Sequence, residues 1–183
     1  MTVLLTDNLS LLAGAPNGIK KLRGLILELA VRGKLVLQDP NDEPASELLK
    51  RIAEEKAQLM ADGQIKKQKS LSAMAEEKQL FELPAGWEWA STATLTLLIT
   101  DGTHHTPTYI SSGIPFISVK DINGKTISFD DCKYISQEEH IAINSRCNPE
   151  QGDILLCRIG TLGRPTIVDT DVPFSLFVSV GLL

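Results

Sequence analysis

The sequence contains no run of about eighteen apolar residues, so it offers no helix able to span a bilayer. Its first residues, Met1-Thr2-Val3-Leu4-Leu5-Thr6-Asp7, place no basic group ahead of the apolar ones and show no small-residue cleavage pattern. A chain without leader or membrane span is expected in the cytoplasm. Cysteine is scarce. Cys132, Cys147 and Cys157 are odd in number and widely spaced, with no Cys-Xaa-Xaa-Cys pair, which predicts reduced, partly buried thiols. A zinc site joining them to His104, His105 or His140 stays open as an alternative. Positive charge is short as well, the formal net charge being −5. That argues against binding nucleic acid through a broad basic field. Residues 81–183 hold 6 Lys and Arg against 12 Asp and Glu, so any DNA contact in that half must use a few placed cations.

Signatures of catalysis are missing too. No Gly-Xaa-Ser-Xaa-Gly elbow is present, and no cysteine stands beside a histidine in sequence. Gly160-Thr161-Leu162-Gly163-Arg164 lacks the spacing and the following helix of a phosphate loop. Neither Asn-Pro-Pro-Tyr nor Asp-Pro-Pro-Tyr occurs, nor a glycine-rich cofactor loop after an N-terminal strand. If DNA is modified or cut, another chain does it.

What remains is an ordinary soluble composition, 43% hydrophobic and 22% charged, over 183 residues. That length suffices for one good core, or for a domain with a helical extension. Residues 1–18 read as a loose lead-in with a short helix, closed by Gly14-Ala15-Pro16-Asn17-Gly18. The stretch Ile19–Met60 organises the rest. Ile19, Leu22, Leu25, Ile26, Leu29 and Ala30 recur at three- and four-residue steps, which puts them on one face of a helix. Gly33 can supply the left-handed stop, and Arg32 and Lys34 suit the negative end of the helix dipole. Asp39-Pro40-Asn41-Asp42-Glu43-Pro44 is a turn, with Pro44 suited to the first position of a second helix. Leu48, Leu49, Ile52, Ala53, Leu59 and Met60 form that helix's apolar stripe, and Asp62-Gly63 stops it. Two helices with one apolar face each need a partner surface. Lys66, Lys67 and Lys69 follow in a solvated linker or a phosphate-contacting cluster, and Ser72–Leu80 can add a helical turn.

At Glu82-Leu83-Pro84-Ala85-Gly86-Trp87-Glu88-Trp89 helix formers give way to Thr, Ile, Val, Gly and Pro. Pro84 and Gly86 predict a turn, and Trp87 an anchor fixing the next domain's first residues to its core. Strands are expected over Leu95–Thr100, Ile114–Ser118, Thr126–Phe129, Asp153–Arg158, Pro165–Val168 and Phe174–Leu183, with one helix over Ser136–Asn144. Ser136 caps that helix and Glu139 completes a capping box. The fold class is therefore α/β (α+β): a helical spacer over 1–80, then a mixed α/β domain over 81–183 with a dominant, irregular sheet.

Asp101-Gly102-Thr103-His104-His105-Thr106-Pro107 is the loop richest in chemistry. It suits a metal or hydrolytic site on Asp101, His104 and His105. It equally suits a phosphate- or base-contacting loop whose Thr and His donate hydrogen bonds and whose backbone approaches DNA at Gly102. A third reading is a plain turn held by Asp101 on its own backbone. Arg158 and Arg164 flank the Gly160–Gly163 turn, which reads as a tight hairpin. Arginine reads guanine with two parallel hydrogen bonds and also clamps phosphates. The candidate DNA-contacting set is Thr103, His104, His105, Thr106, Lys120, Arg158, Thr161 and Arg164. The candidate partner-binding set is Leu22, Leu25, Ile26, Leu29, Leu48, Leu49 and Ile52.

Several motifs carry a family resemblance. Gly33-Lys34-Leu35-Val36-Leu37-Gln38-Asp39-Pro40-Asn41-Asp42-Glu43-Pro44-Ala45 between two apolar helices is similar to the conserved region of type I restriction–modification specificity subunits. Leu83-Pro84-Ala85-Gly86-Trp87 resembles the entry to that family's target recognition domain. Asp101–Pro107, Gly113-Ile114-Pro115-Phe116-Ile117, Tyr134-Ile135-Ser136, Gly152-Asp153-Ile154-Leu155 and Gly160–Gly163 follow in the family's order. The resemblance spans roughly Leu22 to the end. It implies a non-catalytic subunit that reads one half of a bipartite double-stranded DNA target. It also implies docking to modification and restriction subunits, with S-adenosylmethionine bound only by the modification partner. Family members usually carry two recognition domains and two conserved regions. This chain has one of each and closes on Val178-Ser179-Val180-Gly181-Leu182-Leu183, which reads as a strand cut short and suggests a fragment, a truncated gene product or a half-subunit that self-associates through its helices. The rivals from other classes are a small metal-dependent hydrolase on Asp101, His104 and His105, and a protein-binding adaptor that does not bind DNA.

Overall fold

The fold comes from a computed structural model, which describes residues 6–65 and 80–183. Val3–Leu5, the lysine cluster at 66, 67 and 69, and all but Leu80 of the helical turn expected over Ser72–Leu80 lie outside the described residues. The chain divides into two compact units, Met1–Leu95 and Thr96–Leu183. It is mixed α/β, as expected.

The first unit is helical. A short helix α1 (Leu9–Gly14) packs on α2 (Gly18–Val31), and α3 (Ala45–Ala61) follows after an irregular link. Gly33 ends α2 as the sequence predicts. Its φ is +63°, and the Lys34 amide reaches back to the Leu29 carbonyl at 2.8 Å, closing the helix with a left-handed cap. Pro44 sits one place earlier than expected, at the capping position of α3, with φ −61° and ψ 143°. The first helical amide, on Ala45, donates to the Gly86 carbonyl at 2.8 Å. The turn at 84–86 thereby satisfies a donor that the helix itself leaves open.

That turn also corrects the role expected of Trp87. Its indole Nε1 donates to Gln38 Oε1 at 2.7 Å, and its ring lies against Gly33, where an added Cβ would come within 3.2 Å of it and 2.4 Å of Pro84. Trp87 therefore anchors the segment to the end of α2, because a glycine there leaves room for the ring. Phe81 stacks at 5.0 Å on Trp89 and receives the Arg32 guanidinium at 5.4 Å. A single turn, α4 (Thr92–Leu95), follows, and Lys56 of α3 donates to its Ala93 carbonyl at 2.6 Å. These contacts lie within the unit Met1–Leu95.

The second unit carries two sheets in place of one dominant sheet. Strand β1 (Thr100–Asp101) is far shorter than the run predicted from Leu95. It pairs antiparallel with β7 (Val180–Leu182), which also pairs with β4 (Ile154–Cys157). Strand β5 (Gly163–Ile167) closes the edge in the order β1-β7-β4-β5. The second sheet has β2 (Ile114–Ile117) at its centre, between β3 (Lys133–Ile135) and the parallel β6 (Ser175–Leu176). The strand predicted over Phe174–Leu183 is thus two strands in different sheets, and Thr126–Phe129 contributes only an Ile122–Ile127 bridge. Both sheets share one core that includes Ile117, Ile122, Leu155, Val168, Leu176 and Val180, all essentially without solvent contact.

The β4–β5 hairpin forms as its glycines predict. From Thr166 to Gly163 the register advances three residues against two on β4, so Arg164-Pro165 is a bulge. An edge-strand bulge tolerates a proline, which cannot donate to a ladder. Helix α5 (Gln137–Asn144) matches the expectation, with Ser136 Oγ accepting from the Glu139 amide at 3.2 Å. The capping box is only half made. Glu139 Oε1 accepts instead from the Thr108 amide at 2.9 Å, so its carboxylate ties down the Asp101–Pro107 loop.

Candidate functional site

The Asp101 loop is built from the inside. Gly102 is buried, and a Cβ there would stand 2.0 Å from the Leu176 carbonyl oxygen. Only glycine lets this backbone lie against the passage from β6 to β7. Gly102 and Thr103 amides donate to the Val180 and Leu176 carbonyls at 3.3 and 2.9 Å, and the Val178 amide returns to Thr103 O at 2.9 Å. The expectation that Gly102 brings backbone to DNA is therefore corrected: it brings backbone to the core.

The Asp101 carboxylate has an 88% shielded side chain and gathers three partners. His104 Nε2 lies 3.1 Å from Oδ1, Arg146 Nη1 donates to Oδ1 at 3.1 Å, and Arg158 Nη1 donates to Oδ2. Burial pushes the carboxyl's pKa up, but the hydrogen bonds from His104 and Arg146 and the Arg158 charge outweigh this. It ends below the usual aspartate value. Arg146 was not singled out by sequence. Its Nη2 donates to the Asp101 and Gly102 carbonyls at 2.9 and 2.7 Å, so it staples the loop to the chain two residues beyond α5. Nothing in Asn144-Ser145-Arg146 announces this, because the partners lie more than forty residues away.

The predicted DNA-contacting residues separate into groups. His104, His105 and Thr106 are exposed, whereas Thr103 is buried, bridges to Phe177 and holds His105 with its hydroxyl, 2.8 Å from Nδ1. Thr103 thus positions a neighbour and does not itself face outward. Thr103, His104, His105, Ser145 and Arg146 share a cleft of about 390 Å³. Arg158 joins this group through Asp101. Lys120 points elsewhere, donating to the Asp131 carbonyl at 2.9 Å and standing 3.6 Å from Asp121. Arg164, left-handed at φ +51°, donates to the Ile122 carbonyl at 3.2 Å. Thr161 is exposed on the hairpin turn between them.

Metal chemistry finds poor support in the donor set. Both Asp101 oxygens accept from guanidinium groups, which a cation would have to displace. Among the described residues no group of three His, Cys, Asp or Glu is placed to hold a metal ion. The three cysteines are buried and unpaired. His140 is buried too, its Nδ1 lying 2.9 Å from Ser175 Oγ, which donates in turn to Asn144 at 2.9 Å.

The apolar faces of the first unit are largely uncovered. Of the predicted partner-binding residues, only Leu29 is buried. Leu22, Leu49 and Ile52 are half-buried, while Leu25, Ile26 and Leu48 are 39%, 37% and 47% exposed. Leu27 and Val31, off the predicted stripe, are more exposed still. Leu48 also lines a cleft of about 720 Å³ with Pro40, Pro44 and Trp87. Among the described residues no helix is long and apolar enough to cross a membrane.

No family model matches the chain. Two curated relatives from Escherichia coli do. The type I restriction enzyme EcoAI specificity subunit is 74% identical over 74 residues, 40% of this chain and 13% of its own length. The type I restriction enzyme EcoEI specificity subunit is 74% identical over 72 residues, 39% of this chain and 12% of its own length. The matched stretch is thus about an eighth of either relative. Over some two fifths of its length the chain is therefore similar to type I restriction enzyme specificity subunits, the family that its own motifs resemble.

Proposed function

We propose that the chain serves as a DNA-reading and docking part of a type I restriction–modification specificity subunit. Its second unit reads one half of a bipartite double-stranded target. Its first unit lends exposed helix faces to modification subunits, to the restriction subunit through them, or to another specificity helix. The chain itself does no chemistry; methyl transfer and cleavage belong to the partners, in the cytoplasm, with S-adenosylmethionine held by the modification subunit. The observation that carries the reading is the Asp101 cluster. In a half that is acidic overall, one shielded carboxylate gathers two arginines and a histidine beside an exposed Thr–His loop. Placed cations of this kind are what an acidic reader needs, since base-edge contacts set specificity while phosphate contacts set position.

The test is a binding selection from a random duplex library, with the chain alone and with its modification partner. The expected result is an enriched half-site and an affinity that falls with salt. The adaptor reading draws on the uncovered faces of α2 and α3. It predicts partner capture with no salt-dependent mobility shift on any duplex.

A further inference from the structure

The four cations of the second unit whose side chains donate hydrogen bonds, Lys120, Arg146, Arg158 and Arg164, are not equivalent, and a fifth, Lys133, lies over the Tyr109 ring at 5.8 Å. Lys120 is held by the Asp131 carbonyl and Arg164 by the Ile122 carbonyl. Arg146 spends both ends of its guanidinium on Asp101, Thr100 and the carbonyls of 101 and 102. Arg158 differs. Its amide is fixed to Ser179 O at 3.0 Å at the end of β4, and its stem runs over Gly181, where an added Cβ would lie 4.0 Å from Cδ. One terminal nitrogen, Nη1, is held by Asp101. Among the described residues no acceptor engages Nε or Nη2, and the side chain is about half exposed.

We propose that Asp101 is a positioning residue that fixes Arg158 to read a guanine, through the parallel N–H pair that Arg158 leaves free. The inference rests on the DNA-reading role proposed above and names the base. Two physical points favour a base over a phosphate. The ionised carboxylate, shared with Arg146, offsets part of the arginine's charge, which weakens attraction to a phosphate but leaves its directional donors intact. A carboxylate-locked guanidinium also has one orientation, and orientation is what the O6 and N7 acceptors of guanine select for in the major groove. A phosphate also accepts a lysine's point charge, whereas the paired acceptors of guanine need the fork. Asp101 is shared with Arg146, whose other nitrogen is turned onto backbone carbonyls.

The experiment selects from a random duplex library with the full chain, as wild type, Arg158→Lys and Asp101→Asn. The wild type should enrich a site with one fixed G·C pair. Arg158→Lys keeps the charge but loses the fork. It should relax that position alone and weaken the enriched site by about tenfold, with under about threefold loss on random duplex. Asp101→Asn, its fold verified by thermal melting, should relax the same position. Equal losses on enriched and random DNA would make Arg158 a phosphate contact and overturn the inference. A folded Asp101→Asn protein that keeps the guanine also overturns it, and if that variant does not fold, Asp101→Glu, which keeps the charge but moves the acceptor, is read in its place with the same two outcomes. A wild type that enriches nothing removes the DNA-reading role and this inference together, an outcome distinct from an enriched site with no fixed guanine.

Discussion

Arg146 and Asp101 hold each other across forty-five residues of chain: one guanidinium nitrogen donates to the carboxylate at 3.1 Å, and the other to the carbonyls at 101 and 102. Arg146→Ala leaves a shielded carboxylate with one partner fewer and two carbonyls without a donor. Unsatisfied groups of this kind cost about 1–3 kcal/mol. We expect urea denaturation of the variant to show a lower midpoint with an unchanged slope. An unshifted midpoint would mean that water replaces the guanidinium without cost.

Gly102→Ala tests the buried approach of the loop. The new methyl would meet the Leu176 carbonyl at 2.0 Å, so the backbone must move. Overpacking of this sort costs about 1–3 kcal/mol or more. The variant should melt earlier than wild type and be recovered in lower yield. A wild-type melting curve would show that the loop is not fixed against the β6–β7 passage.

His140 sets an acid limit. Burial lowers its pKa below the usual 6.5, with Ser175 and Asn144 as the polar groups facing it. The unfolded chain therefore binds a proton near pH 6.5 that the folded chain refuses until the pH is lower. Stability is fully present above pH 6.5 and declines as the pH falls through that window, by up to about 1.4 kcal/mol per unit. Melting temperature should drop from pH 7 to pH 5.5, and His140→Gln should flatten that slope.

Cys147 is fully buried, and burial is the first cause that pushes its thiol up to about 11. Thiolate is the reactive form, so the folded protein at pH 8 should spare Cys147 from a disulfide reagent while denatured protein reacts. Mass spectrometry after a short pulse of label reads this directly. Prompt labelling of native Cys147 would contradict the burial.

The faces of α2 call for a paired measurement. Leu25 and Ile26 are 39% and 37% exposed, so Leu25→Gln with Ile26→Gln should change the melting temperature little. The same double variant should lose co-purification with the modification subunit. Retained co-purification would assign docking to another surface.

Much of the local structure was legible. The helix stops at Gly33 and Asp62-Gly63, the cap at Ser136 and the β4–β5 turn follow from residues a few places apart, whose chemistry is local. Misreadings arise where distant partners decide. Trp87 rests on Gly33 and Gln38, which its own surroundings do not announce. Glu139 has a suitable acceptor geometry for a capping box, yet the Thr108 amide takes its carboxylate. The apolar run at 174–183 reads as one strand because both its halves are buried, and hydrophobicity does not record that they belong to different sheets. Of the residues gathered on Asp101, His104 and Arg158 are among those the sequence singled out, and Arg146 is not, while Lys120 and Arg164 are engaged with backbone carbonyls.

The position of β7 has a consequence for how the second unit is made. It lies between β1 and β4, and the strand just before it, β6, completes the other sheet. Both sheets are completed by residues 175–182: the β2–β3 and β4–β5 pairs do not need them, but β1 and the loop that carries Asp101 have nothing to lie against until β7 is in place. The Asp101 loop therefore depends on residues 175–182 for its place, so a change that loosens β7 would release that loop while the β2–β3 and β4–β5 pairs persist.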